Sequence, residues 1–142
     1  LPVTKVKSKW AEGSLVFSGD GKLNLGVTTT QKKTIETATG SATLSVDQML
    51  AGHIDGTPVA AAAYTTPTAT ALLAEIPGAV VGTSFYFSIN NVTSATHTIT
   101  LGAGDGVTVD GSATIAVNTG RLFFLTVTNV STPAITIYGM GA

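Results

Sequence analysis

The sequence predicts an all-β protein, an antiparallel β-sandwich with one or two short helical turns. Three observations carry this. From Thr83 onward, short β-type runs (Ser84–Asn90, Thr96–Leu101, Gly106–Val109, Ala113–Val117, Leu122–Thr128 and Ala134–Tyr138) alternate with Gly, Asn, Asp, Ser and Pro breaks. Their spacing is close to the roughly 8–12 residues usual for sandwiches and barrels. Threonine is abundant, and its branched Cβ suits a pleated, half-exposed surface. Helical signals are confined to two short stretches, and none separates the C-terminal strands, so a parallel βα architecture is not expected.

Element by element, Val3–Lys9 alternates weakly, and Ser14–Ser18 is a short apolar strand closed by the turn signal Gly19-Asp20-Gly21. Lys22–Val27 and Thr34–Thr39 alternate again, Gly40 breaks the pattern, and Ala42–Leu44 resumes it. Ser45 is placed to cap a helical turn ending at Gly52. Thr68–Ile76 carries Leu72, Leu73 and Ile76 as an apolar stripe, with Thr68 or Thr70 as cap and Pro77-Gly78 as stop. Helices this short are unstable alone in water, so both must pack on a sheet; the second is expected to plug one open end of the sandwich. Residues 1–12 read as a basic N-terminal arm or edge strand, and residues 13–142 as one sandwich domain.

Phe85–Gly104 echoes Phe123–Gly141. Phe85, Phe87 and Ile89 match Phe123, Leu125 and Val127, and Asn91-Val92-Thr93 matches Asn129-Val130-Ser131. The echo predicts two related hairpins, with those six apolar residues on inner faces.

Composition limits the function. Charged residues make up 11% of the 142, with 44% hydrophobic, against about 25% charged in ordinary soluble domains. A surface so poor in charge is weakly protected against association and suits coverage by partner chains. No apolar run is long enough for a membrane span. Cysteine is absent, so no disulfide or thiol chemistry is available. All six lysines (Lys5, Lys7, Lys9, Lys22, Lys32, Lys33) precede residue 34, and only Arg121 is basic afterwards. Such asymmetry fits either a basic arm docking on an acidic surface or a lysine-guarded strand edge. Lys5, Lys7, Lys9 and Trp10 are the candidate partner-binding residues.

Catalytic and metal groupings are not apparent. His53 and His97 are far apart, with neither cysteine nor a metal-ligand spacing nearby. There is no Gly-x-Ser-x-Gly elbow. Asp20-Gly21, Asp55-Gly56, Asp105-Gly106 and Asp110-Gly111 read as turns rather than as paired catalytic carboxylates or a calcium loop. The stretch GAGDGVTVDG lacks the Lys-Ser/Thr and the following helix of a phosphate loop. Aromatic residues do not interleave with basic ones, which disfavours nucleic acid. Asn91-Val92-Thr93 and Asn129-Val130-Ser131 match the N-glycosylation pattern and are expected in exposed turns. No enzyme, cofactor or metal is predicted.

The segments PTATALLAEIPG (Pro67–Gly78), VGTSF (Val81–Phe85), AGDGVTVDG (Ala103–Gly111) and NTGR (Asn118–Arg121) occur in this order before the last hairpin. Together with the weaker VKSKWAEGSLVFSGDG (Val6–Gly21), this pattern resembles small virion structural proteins of tailed phages and other double-stranded DNA viruses. The resemblance implies a jelly-roll-like sandwich on a particle surface, often trimeric and without an active site. It implies a capsid decoration or minor capsid role, with the major capsid protein or other virion subunits as partners. Two alternatives stand beside it. One is a receptor- or carbohydrate-binding fibre head, with Trp10, Tyr64, Tyr86 and Tyr138 as candidate platforms. The other is a filament or surface-layer subunit joined by an exchanged N-terminal strand.

Overall fold

The computed structural model describes residues 34–36, 40–76 and 78–141. The expected elements before Thr34, the residues Lys5, Lys7, Lys9 and Trp10, and the arm assigned to residues 1–12 lie outside the described residues. The element order is β1 (Thr34–Glu36), β2 (Ala42–Thr43), α1 (Val46–Leu50), β3 (His53–Gly56), β4 (Ala62–Thr65), α2 (Ala69–Ala74), β5 (Ser84–Asn91), β6 (Ile99–Gly102), β7 (Val107–Gly111), β8 (Thr114–Ile115), β9 (Gly120–Asn129) and β10 (Ala134–Gly139). The fold is mostly β, in two sheets. One has the order β1-β3-β5-β9-β10-β7 and the other β2-β4-β6-β8.

The antiparallel jelly roll expected from sequence is corrected in its pairing. Among the described residues, five of the eight strand pairs are parallel. From β1 to β9 successive strands alternate between the two sheets. A chain that visits the facing sheet and returns can run in its former direction. The intervening strand thus replaces the crossover helix that parallel neighbours usually need. The echoed hairpins are corrected in the same way. β9 and β10 form a true antiparallel hairpin, but β5 and β6 belong to different sheets and form an arch across the core. The two echoed strands, β5 and β9, instead pair with each other, with Phe87 opposite Phe123.

The inner-face assignment stands. Phe87, Ile89, Phe123, Leu125 and Val127 are buried, with Phe85 half-buried against them. Ile54, Ile135 and Ile137 complete this layer, and Tyr64, Ile99, Leu101 and Ile115 face it from the four-stranded sheet. Gly56 shows how closely the sheets approach. A Cβ there would lie 2.7 Å from the Tyr64 hydroxyl and 2.5 Å from Ile99 Cδ1. Asp55-Gly56 is therefore the end of β3 rather than a turn, and its glycine leaves room for the tyrosine ring.

Both helices are capped as their sequences require. Ser45 Oγ accepts from the Gln48 N–H at 3.1 Å, and the Gln48 side chain accepts from the Ser45 N–H at 2.7 Å, a reciprocal box that contributes about 1 kcal/mol. Gly52 follows with φ 85°, the left-handed conformation that ends the turn. Met49 anchors α1 in the core. Thr68 caps α2 through the Ala71 N–H at 3.1 Å, and Ala69 and Leu72 are buried. The Ala69 N–H donates to the Asp105 carbonyl at 2.8 Å. A Cβ on Gly106 would meet the Pro133 carbonyl oxygen at 2.7 Å and Ala69 Cβ at 3.0 Å. α2 is thus seated where the turns before β7 and β10 come together. Pro77 lies outside the described residues, and the helix ends at Ala74 before reaching it.

Candidate functional site

Alternation along β5, β9, β10 and β7 buries one set of side chains and leaves the other on the outer face of the six-stranded sheet. The register arranges that outer set in cross-strand rows. Tyr86 lies opposite Phe124, Phe124 opposite Tyr138, and Tyr138 opposite Asp110. The Tyr86 and Phe124 rings are 4.9 Å apart at 44°, and those of Phe124 and Tyr138 are 6.4 Å apart at 27°. Tyr86 is 52% exposed and Tyr138 38%. On one side of this row runs a hydroxyl row of Ser84, Thr126, Thr136 and Thr108. On the other runs Ser88 opposite Leu122, and the Met140 N–H donates to the Leu122 carbonyl at 2.9 Å. Leu122 and Met140 are both exposed. The patch is therefore aromatic and aliphatic, bordered by hydroxyls, with Asp110 as the charge at its β7 margin.

A polar cluster continues the face onto β3. His53 sits opposite Ser88, and Asp55 opposite Asn90. Ser88 Oγ lies 2.6 Å from His53 Nδ1, and His53 Nε2 lies 3.0 Å from Asp55 Oδ1. Asn90 Nδ2 donates to the same Asp55 oxygen at 3.3 Å. With a neutral ring, His53 Nε2–H donates to the carboxylate and Nδ1 accepts from the Ser88 hydroxyl; with a doubly protonated ring, Nδ1–H donates to Ser88 Oγ, which donates onward to the Gly52 carbonyl at 3.4 Å. The Asp55 side chain is 11% exposed and that of His53 37%, so the carboxylate is sheltered and the imidazole reaches solvent. The order serine, histidine, aspartate is that of an activated nucleophile. The Ser88 N–H, however, is spent on the Gly52 carbonyl at 3.0 Å and cannot help hold an oxyanion. The cluster ties β3 to β5 through directly opposed side chains.

Several sequence-based expectations change here. Tyr64 is fully buried between the sheets and is no ligand platform. Tyr86 and Tyr138 are exposed and share one face, while Phe124, Leu122 and Met140 were not singled out from sequence. Asn91 is buried, and its Nδ2 donates to the His97 carbonyl at 2.8 Å and the Ile115 carbonyl at 3.2 Å. A glycan cannot attach there in the folded chain. Asn129 is exposed, and its Oδ1 accepts from the Ser131 and Thr132 N–H groups at 2.9 and 3.1 Å. Asp105-Gly106 is a turn as expected, and Asp110-Gly111 ends β7. Arg121 ties the start of β9 to β8 and to the residues after β10, donating to the carbonyls of Thr114, Met140 and Gly141. Among the described residues, no three His, Cys, Asp or Glu side chains gather as a metal site, and no helix is long and apolar enough to cross a membrane.

No family model, curated protein or solved structure matches this chain.

Proposed function

We propose that this chain is a non-enzymatic structural subunit of a virus particle, attached to the particle surface through the outer face of its six-stranded sheet. The observation that carries this reading is the outer-face row Tyr86–Phe124–Tyr138, with Tyr86, Tyr138, Leu122 and Met140 exposed and Phe124 half-buried between the tyrosines. Contiguous exposed apolar surface on a β-sheet marks a place where another macromolecule sits. Aromatic residues and methionine are enriched in protein interfaces, and charged residues are depleted at their centres. The 11% charged content extends the same chemistry to the rest of the surface. The particle itself comes from the sequence resemblance, which also points to a trimer with the major capsid protein as neighbour.

Add-back to particles stripped of the chain tests this directly. Tyr86→Ser/Phe124→Ser/Tyr138→Ser in one chain is expected to weaken co-sedimentation with the particles by at least about 100-fold, the scale of losing central aromatic anchors. Its circular dichroism is expected to match the unsubstituted chain, because these rings lie outside the core. Unchanged co-sedimentation would remove the face from the account.

A carbohydrate-binding head is the second reading. It is favoured by the exposed Tyr86 and Tyr138 near Ser88, Asn90 and Asp55 on one face. A glycan-array signal abolished by Tyr86→Ala or Tyr138→Ala would support it.

A further inference from the structure

We propose that the edge of β7, unpaired among the described residues, accepts the Lys5–Trp10 segment of a second copy of this chain as an added strand. Among the four edge strands, β1 has three residues, β2 and β8 two each, and β7 five. β7 is therefore the one long edge among the described residues, and a long edge is a template for pairing.

The hydrogen-bond phase shows what that edge offers. The Ile135 N–H donates to the Gly106 carbonyl at 3.0 Å. Backbone groups alternate in direction along a strand. Those of Gly106, Thr108 and Asp110 thus face β10, and those of Val107 and Val109 face away. The Val107 N–H is occupied by the Gly104 carbonyl at 3.0 Å. The Val107 carbonyl and both backbone groups of Val109 remain on the outer side, where no described strand lies.

Side chains and charge select the occupant. On β7, Val107 is buried and Val109 half-buried, while Thr108 and Asp110 are exposed. In an extended segment, Lys5, Lys7 and Lys9 share one face and Val6, Ser8 and Trp10 the other. Laid beside β7, Val6 and Trp10 prolong the valine side and the lysines lie on the side of Asp110. A one-residue slip would turn the lysines inward, so the register is specified. Charge balance agrees. Residues 1–33 carry six lysines against Glu12 and Asp20, or +4, and residues 34–142 carry Arg121 against six acids, or −5, giving the net −1. The donor assigned is a second copy of this chain, whose Lys5, Lys7 and Lys9 complement Asp110 at this edge in charge.

This inference rests on the reading of the chain as an assembling subunit, but its test scores a link between copies and involves no particle. The chain has no cysteine, so introduced thiols report without background. Full-length Val6→Cys and Val109→Cys chains are mixed and oxidised, with Thr4→Cys and Ser8→Cys in place of Val6→Cys to cover neighbouring registers. Lys7→Cys with Thr108→Cys samples the exposed side and leaves the core-facing residues intact. The expected result is a disulfide-linked heterodimer identified by its crosslinked peptides. Asp110→Lys should reduce its yield at least tenfold, and with Asp110 retained added salt should lower the yield by screening the attraction to the lysines. Absence of mixed product from every pair overturns the proposal. So does a doubly substituted chain that closes its disulfide only within itself, at monomer mass.

Discussion

Asn91→Asp is expected to cost about 3–5 kcal/mol at neutral pH, the scale of leaving a buried charge uncompensated. Asn91 is fully buried, and its amide donates to the His97 and Ile115 carbonyls while its Oδ1 accepts from the Thr93 N–H at 3.3 Å. The side chain thereby joins the loop after β5 to β8 in the opposite sheet. A carboxylate keeps the volume but has no proton to donate, and its charge would face two carbonyl oxygens. Burial and those oxygens raise the folded-state pKa of the new carboxyl above its unfolded value of about 3.9. The folded chain then binds more protons than the unfolded one between these two values. The deficit is therefore smallest below about pH 3.9 and grows as pH rises through the folded-state pKa. Urea unfolding at pH 4 and pH 7 checks both size and sign. An equal loss at the two pH values would show that the missing donor alone, and not the charge, governs the site.

Phe123→Ala is expected to destabilise by about 3–5 kcal/mol, through lost transfer energy and the cavity left behind. For a chain of this length that lowers the melting temperature by roughly 10–20 °C. Phe123 is fully buried and stacks on Phe87 with centroids 5.2 Å apart at 18°. The stack lies on the antiparallel β5–β9 pair, at the middle of the larger sheet. Tyr86→Ala, one residue from Phe87 but on the opposite face, should cost about 1 kcal/mol or less, the range of an exposed cross-strand pair. Thermal unfolding of the two variants side by side checks the assignment of faces. Similar losses would contradict it.

Much of the strand layout was legible in the sequence because β5, β9 and β10 are long and alternate cleanly. The caps at Ser45 and Thr68 were legible because an N-cap needs a short side-chain oxygen at one defined place. β3 and β4 were not legible. Their sequences, HIDG and AAYT, are rich in residues depleted from strands. They are strands because Ile54 and Tyr64 fill the core and Gly56 makes room for the ring. Pairing direction was not legible, since alternation tells which face a residue takes and says nothing about its neighbour.

The outer patch was legible only in part. Tyr86 and Tyr138 stood out by residue type. Leu122 and Phe124 are hidden in the continuous run Leu122–Leu125, whose phase is ambiguous. The available signal was the run itself: four successive apolar residues in a strand must place two of them away from the core. His53 and Ser88 are 35 positions apart, and only the parallel β3–β5 register brings them together.

The proposed role makes the chain a stoichiometric part of a virus particle. Peptide mass spectrometry of density-banded virus particles from the organism that carries the sequence, quantified against the major shell protein, tests it most directly. A high, fixed ratio of this chain to the shell protein is expected. Its complete absence from banded particles, with the chain present elsewhere in the same culture, would contradict the claim.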